Sequence, residues 1–356
     1  MMDTKDLKLS VASSPHVCSP VNTSRLMLDV LIALVPALLM AVYVFGPRAL
    51  TLTAVSVLGC EFFEWGYRKL LKKPAANGDF SAAVTGVLLA FVCPVSLPYW
   101  VVLIGDFFAI VVVKQLFGGL GQNFMNPALA GRAFLMMCYP VAMTTWVLPG
   151  VKNWAGIVSA ADAVTGATPM ASLHSHLDAA LGVNVHTLPE AGLMDMFVGN
   201  VGGCVGEISA RLLLLGGIYL IWRGVIRARI PVAFIATVAV ICFLFPQGGI
   251  GRVDWMLYNL CGGGLMLGAF FMATDYVTSP VTKMGEIYFG VGCGLLTVFI
   301  RYFGGYPEGV SYAILLMNIC VWLLDKAGKP GRFGVTKEMK AKAKADRKAA
   351  KEGAAK

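Results

Sequence analysis

The chain has 356 residues, 57% of them hydrophobic and 14% charged, and its mean hydropathy is +0.72. That balance excludes an ordinary soluble domain and fits a chain that crosses a membrane several times. The net charge is +9, but residues 326–356 hold eleven Lys/Arg against three Asp/Glu, so the body is near neutral. This excludes a nucleic-acid partner and puts a basic tail at a lipid surface.

Residues 1–25 form a polar lead. Apolar windows follow at 26–45, 50–67, 80–92 and 99–117. The first has no small-residue cleavage site behind it and reads as a retained span. A fifth window opens after Asn126-Pro127-Ala128 and runs to 147. Residues 148–196 are polar and too long for a simple connector, which marks a functional segment. The second set of windows covers 205–226, 231–245, 256–273, 287–303 and 312–324. The sequence therefore predicts an all-α polytopic membrane protein with about ten transmembrane helices. Its divisions are a lead (1–25), a first half (26–147), a loop (148–196), a second half (197–325) and a tail (326–356).

Basic residues set the orientation. A cytoplasmic N-terminus puts 68–73, Lys114, Arg132, 223–229, Lys283 and the tail inside, and leaves mainly Arg48, Lys152, Arg252 and Arg301 outside. Both termini are then cytoplasmic and the 148–196 loop is external, in the periplasm of a bacterium with an inner membrane. An internal repeat accompanies this topology. Residues 86–98 align with 268–280, and Phe117-Gly118-Gly119 with Phe303-Gly304-Gly305, at offsets of 182 and 186. Five spans per half make the halves inverted, an arrangement that places a pathway among broken helices at the membrane midplane.

Nine cysteines form no Cys-x-x-Cys pair, and most sit in apolar windows as small hydrophobes. His174-x-His176 is read as a solvated loop pair. Acids inside apolar windows are costly and default to functional roles. They are Asp29, Glu61, Glu64, Asp106, Asp275 and Asp325. Asp29 has Arg25 four residues away on a helix face, and Glu61 and Glu64 lie near the basic end of their window, where Arg68 can pair with them. Asp275, Glu207 and Asp106 are the candidates for an ion pathway.

Four segments carry chemistry. In the polar loop lies Asp162-Ala163-Val164-Thr165-Gly166-Ala167-Thr168-Pro169. From residue types alone it is a turn with free hydroxyls. Residues 118–128 (GGLGQNFMNPA) put glycines ahead of an Asn-Pro helix start and offer free amides there; a tight turn fits equally well. Residues 199–210 (GNVGGCVGEISA) carry four glycines that allow close packing or approach to a cofactor. Residues 271–280 (FMATDYVTSP) interrupt an apolar window around Asp275.

These segments resemble the Rnf-D/Nqr-B family of flavoprotein membrane subunits. Asp-x-x-Thr-Gly-Ala-Thr-Pro resembles the family's flavin-attachment motif, which implies that Thr168 is esterified by the phosphate of FMN. Asp162, Thr165, Gly166, Ala167 and Pro169 surround it in the motif. The segments containing Asn123, Asn126 and Glu207 resemble cofactor-contacting segments and imply a second, non-covalent flavin such as riboflavin. The segment at Asp275 matches Met-Ala-Thr-Asp-Pro-Val-Thr-Ser-Pro except that Tyr276 stands where the family has Pro. Lacking an obvious N-terminal extension, the chain is most similar to the Rnf branch. The resemblance implies a fold similar to urea-channel proteins. It also implies a subunit of a membrane translocase passing electrons between ferredoxin and NAD while moving Na+ or H+. A second FMN-bearing subunit and subunits binding NAD and iron–sulfur centres would be its partners, along with membrane lipid. The rival readings are a quinone-reducing protein of the Nqr-B branch and a cofactor-free channel.

Overall fold

The computed structural model describes residues 22–72, 78–149, 166, 168–174, 188–189, 191–304 and 308–329. The lead before residue 22, most of the 148–196 loop and the tail beyond 329 lie outside the described residues. Among the described residues the chain is helical, with one isolated bridge between Pro94 and Cys204 and no strand.

The helices are α1 (Thr23–Phe45), α2 (Pro47–Leu70), α3 (Ser81–Phe91), α4 (Tyr99–Phe107), α5 (Pro127–Cys138), α6 (Pro140–Met143), α7 (Pro169–Leu173) and α8 (Leu193–Val198). Then come α9 (Ala210–Trp222), α10 (Arg229–Leu244), α11 (Arg252–Cys261), α12 (Leu265–Leu267), α13 (Lys283–Phe303) and α14 (Val310–Ala327). Two helices run on in π geometry, α4 over Phe108–Gln115 and α12 over Gly268–Met272. α1, α13 and α14 are long and apolar enough to cross a membrane, and the bent pair α11–α12 makes a fourth. α3, α5, α9 and α10 are shorter apolar helices. Leu39, Leu58 and Trp322 lie on the exposed outer surface. This is the make-up of a multi-pass membrane protein.

Three windows differ from their predicted form. The fifth, expected to run to 147, is helical over Pro127–Cys138, and a separate short helix, Pro140–Met143, follows because Pro140 cannot continue it. The window 256–273 is not one helix: it bends by 60° at residues 262–264. Gly263 and Gly264 have φ of +64° and +66°, which L side chains rarely adopt. The window 205–226 begins its helix only at Ala210, because residues 199–206 are drawn across the bundle to α3.

That crossing positions everything else. α3 ends inside the protein at Phe91, and its last carbonyls lack helical partners. Gly206 N–H donates to Phe91 O at 2.8 Å, Val205 N–H to Cys93 O at 3.1 Å, and the Cys204 thiol to Val92 O at 3.2 Å. In the other half, the run after α12 ends near Met272, whose carbonyl accepts from Asn126 Nδ2 at 3.2 Å. Each broken helix is thus closed by a loop of the opposite half. α2 packs on α3 and α4, and α10 packs on α11 and α13. α1 meets α9, and α5 meets α14, between the halves.

The buried cations are not loop charges. Arg48, Lys114, Arg132 and Arg301 are all buried with named partners. Arg48 Nε donates to Val95 O at 2.7 Å. They drop out of the orientation count. Arg25, Lys69, Lys72, Arg223, Arg227, Lys283 and Lys326 are exposed on the side predicted as cytoplasmic, against Arg211 and Arg252 on the other.

A β-carbon on Gly206 would fall inside the fully buried Phe91 side chain. Gly206→Ala is therefore expected to destabilise the protein by about 1–3 kcal/mol, the usual cost of overpacking. Thermal unfolding of the detergent-solubilised protein would read this as a lowered midpoint, with Gly203→Ala, which meets open space, as the neutral control.

Candidate functional site

Two cavities hold most of the predicted site residues. The first is lined by Thr168, Pro169, Met170, Gly202, Gly203, Glu207, Gly262, Gly263 and Glu308, with about 370 Å³ of empty space including its mouth. Thr168 is buried and forms the N-cap of α7; its Oγ1 accepts from Ala171 N–H at 3.1 Å. Pro169 at the first helical position suits a helix start. Gly166 N–H is tied to Trp146 O at 3.1 Å. Asp162, Thr165 and Ala167 lie outside the described residues.

Behind this cavity is a buried ion cluster. Arg132 from α5 pairs with Glu308, lies 3.6 Å from Glu207 Oε1, and donates to Ser311 Oγ at 2.9 Å. Its side chain and that of Glu207 are 6% and 8% exposed. Cys204 sits with the two carboxylates, and the Arg132 guanidinium reaches both of them. Local pattern assigns Arg132 no such role, since its partners are distant in the chain.

A second network fixes α7 from the other side. His174 is buried, not solvated, and its Nε2 lies 3.0 Å from Asn259 Oδ1. Asn259 Nδ2 donates to Trp255 O, so its Oδ1 is the acceptor and His174 Nε2 carries the proton. Arg301, fully buried, donates to the carbonyls of Asn259 (2.7 Å), Gly262 (3.1 Å) and Gly263 (3.3 Å). This holds the 262–264 bend against Thr168. Sequence reasoning missed His174 because a loop histidine six residues from a motif carries no burial signal.

The second cavity lies at the far end of α3. Ser81, Thr85, Lys114, Asn123, Asn126, Phe270, Phe271, Thr274 and Asp275 line it, with about 740 Å³ of empty space including its mouth. The two cavities share no lining residue, and the second runs along α3 from Ser81 to Leu88. Asn126 Oδ1 accepts from Ala128 and Leu129 N–H at 3.0 and 3.4 Å, so the amides expected to be free at this helix start are taken. Lys114 Nζ is 2.7 Å from both Glu64 Oε2 and Ser81 Oγ. Asp275 Oδ2 accepts from Thr278 Oγ1 at 3.1 Å. Tyr276, in place of the family's Pro, reaches the carbonyl of Val225 with its hydroxyl.

The remaining acids divide. Asp29 pairs with Arg223 at 3.3 Å and accepts from Tyr219, not with Arg25, because α9 packs closer than the turn of its own helix allows. Of Glu61 and Glu64, it is Glu64, one helical turn before Arg68, that bonds it, at 3.0 Å. Asp325 caps the start of α13, accepting from Thr282 N–H at 3.0 Å. Asp106 is buried between α2 and α4 and lines neither cavity.

The sequence profile of the NQR2, RnfD, RnfE family matches residues 10–334. The chain is 47% identical over 342 residues to the D component of the Na(+)-translocating ferredoxin:NAD(+) oxidoreductase complex of Acetobacterium woodii, covering 96% of this chain and 99% of that one. It is 42% identical over 328 residues to the D component of the proton-translocating ferredoxin:NAD(+) oxidoreductase complex of Clostridium ljungdahlii, covering 91% and 96%. It is 36% identical over 346 residues to the D component of the ion-translocating oxidoreductase complex of Actinobacillus succinogenes, covering 90% and 96%.

Arg132→Ala leaves Glu207 and Glu308 without their cation. Breaking a buried pair this way costs about 3–5 kcal/mol. The expected outcome is loss of the monodisperse peak in size-exclusion chromatography, with partial recovery in the Arg132→Met, Glu308→Gln double variant.

Proposed function

The chain belongs to the NQR2, RnfD, RnfE family, and from that membership we propose that it is a membrane subunit of an ion-translocating complex passing electrons between ferredoxin and NAD. The observation that carries this reading is the near full-length match to three relatives named as the D component of such complexes. In this reading the subunit is not catalytic alone. The NAD, ferredoxin and iron–sulfur sites and a second FMN belong to partner subunits.

Thr168 is the attachment point of a covalent FMN. Its residues fit that group. The Thr168 oxygen serves α7 as an acceptor, so esterification replaces a proton that the local fold does not use. The cavity beside it is edged by Gly202, Gly203, Gly262 and Gly263, which let a bulky group approach the backbone. Asp162, Thr165, Gly166, Ala167 and Pro169 complete the attachment segment. The second cavity suits riboflavin: Asn123, Asn126 and Thr274 offer polar contacts to a ring edge, and Phe270 and Phe271 offer apolar wall. When bound, a flavin supplies one-electron chemistry. The chain's own part is to position it: Arg301 and His174 fix the wall around Thr168, and Asn126 fixes the mouth of the second cavity. Glu207 edges the first cavity and Asp275 the second, which suits contact with a coupling ion. The ions named for the Acetobacterium and Clostridium relatives differ, sodium and proton, so family membership leaves the ion open.

The arrangement in the membrane is two inverted halves of five spans, 26–147 and 197–325, in a bacterial inner membrane. Matched packing of α2 and α10 on their neighbours, and of α1 on α9 and α5 on α14, supports it. The exposed basic residues support cytoplasmic termini, with residues 1–25 and 326–356 inside and the 148–196 loop in the periplasm.

Peptide mass spectrometry on protein from its own host tests the attachment. The peptide containing Thr168 is expected to carry the mass of FMN less one water, and Thr168→Val to lose it along with the covalent flavin fluorescence. An unmodified Thr168 in the native host overturns the attachment and favours a cofactor-free channel.

A further inference from the structure

Asp106 sits in the interior of the first half, two turns before Lys114 on the same continuous helical run, and its side chain is fully buried. Ser56 Oγ lies 2.7 Å from Asp106 Oδ1 and 2.9 Å from Gly86 O. Cys60 Sγ lies 3.3 Å from the same Oδ1. Asp106 Oδ2 has no hydrogen-bond partner among the described residues and faces Gly59, where a β-carbon would sit 2.9 Å away.

The Ser56 hydroxyl has two acceptors within reach. A serine hydroxyl has one proton to give. Gly86 O is a carbonyl and can only accept; when Ser56 donates there, its oxygen is left to accept. The short contact to Oδ1 then needs a proton on the carboxyl. An ionised carboxylate offers about four acceptor sites, and among the described residues only one serine hydroxyl, which also faces Gly86 O, and one weak thiol point at it. Nor is a cation at hand. The titratable groups on the elements packed against α4 are Arg48, Cys60, Glu61, Glu64, Tyr67, Arg68 and Lys69 on α2, Lys114 on its π-helical extension, and Arg132 and Cys138 on α5; Arg48 bonds the carbonyls of residues 95–97 and Arg68 pairs with Glu64. Lys114 is held by Glu64, and Arg132 by Glu207 and Glu308. A bare carboxylate in such a place is expensive.

We propose that Asp106 is a proton-binding site: a neutral carboxylic acid whose Oδ1–H donates to Ser56 Oγ, which in turn donates to Gly86 O. Its ligand is H+, not a metal cation, because a cation needs several oxygens and only Oδ2 is uncommitted. The site stands apart from both cavities and does not depend on any flavin.

Infrared difference spectroscopy of the intact complex, containing the full chain, reads this directly. The spectrum of wild type minus Asp106→Asn is expected to contain a carboxylic-acid C=O band at neutral pH, of equal intensity with and without sodium. Asn replaces the neutral acid in shape and can donate to Ser56, so that variant is expected to keep the wild-type melting temperature. Should it not assemble, Ser56→Ala serves: it removes the acceptor and is expected to shift the same band to higher frequency. A difference spectrum with only carboxylate bands, a band unmoved by Ser56→Ala, or one abolished by adding sodium would overturn the proposal, the last by assigning the site to a metal ion.

Discussion

Helices that stop inside a bundle leave carbonyls that lipid cannot satisfy, and the architecture is arranged around that demand. α3 ends at Phe91, and the loop 204–206 crosses from the second half to bond its last turn. The run after α12 ends near Met272, and Asn126 crosses from the first half to bond that carbonyl. Two exchanges of this kind lock the halves together. The first also explains why residues 199–206 are rich in glycine. The backbone itself has to reach across, and at Gly206 there is no room for a side chain.

The same crossings create the two cavities. The second forms where the run after α12 ends beside the start of α5, and the first where residues 201–208 meet the bend at Gly262 and Gly263. Thr168 reaches the first through α7, held by His174 and Asn259. Asn123 and Asn126 reach the second through the start of α5. Irregular backbone at membrane depth is tolerated only where protein or a cavity surrounds it, so the features that break the helices also mark where a ligand can sit.

Buried charge follows a consistent rule. Glu64 with Lys114 and Arg68, Glu207 and Glu308 with Arg132, and Glu286 with Arg227 and Arg229 are answered locally. Arg301 is answered by carbonyls instead, four of them contributed by Asn259, Gly262, Gly263 and Glu308. Asp106 has neither cation nor sufficient donors, which sets it apart from every other buried acid in this group.

Much of this protein was legible in its residues. Long apolar windows must become buried or lipid-facing helices, so the starts and ends of α1, α3, α13 and α14 fall close to where hydropathy puts them. The breaks at residues 92–98 and 273–280 were legible because proline and turn residues act locally. The motif around Thr168 was legible as a resemblance, and an acid of α2 beside Arg68 was legible from their closeness in the chain. The tertiary structure alone decided the rest. Three glycines at 262–264 gave no sign that the chain turns by 60° there, since glycine permits a bend without requiring one. Asp29 had a partner four residues away and took Arg223 instead, because α9 packs beside it. Arg132, Arg301 and Lys114 looked like loop charges and are buried, and His174 looked solvated and is not. Burial and partnership between residues far apart in the chain arise from packing, and local sequence carries no record of which distant carbonyl or carboxylate will arrive.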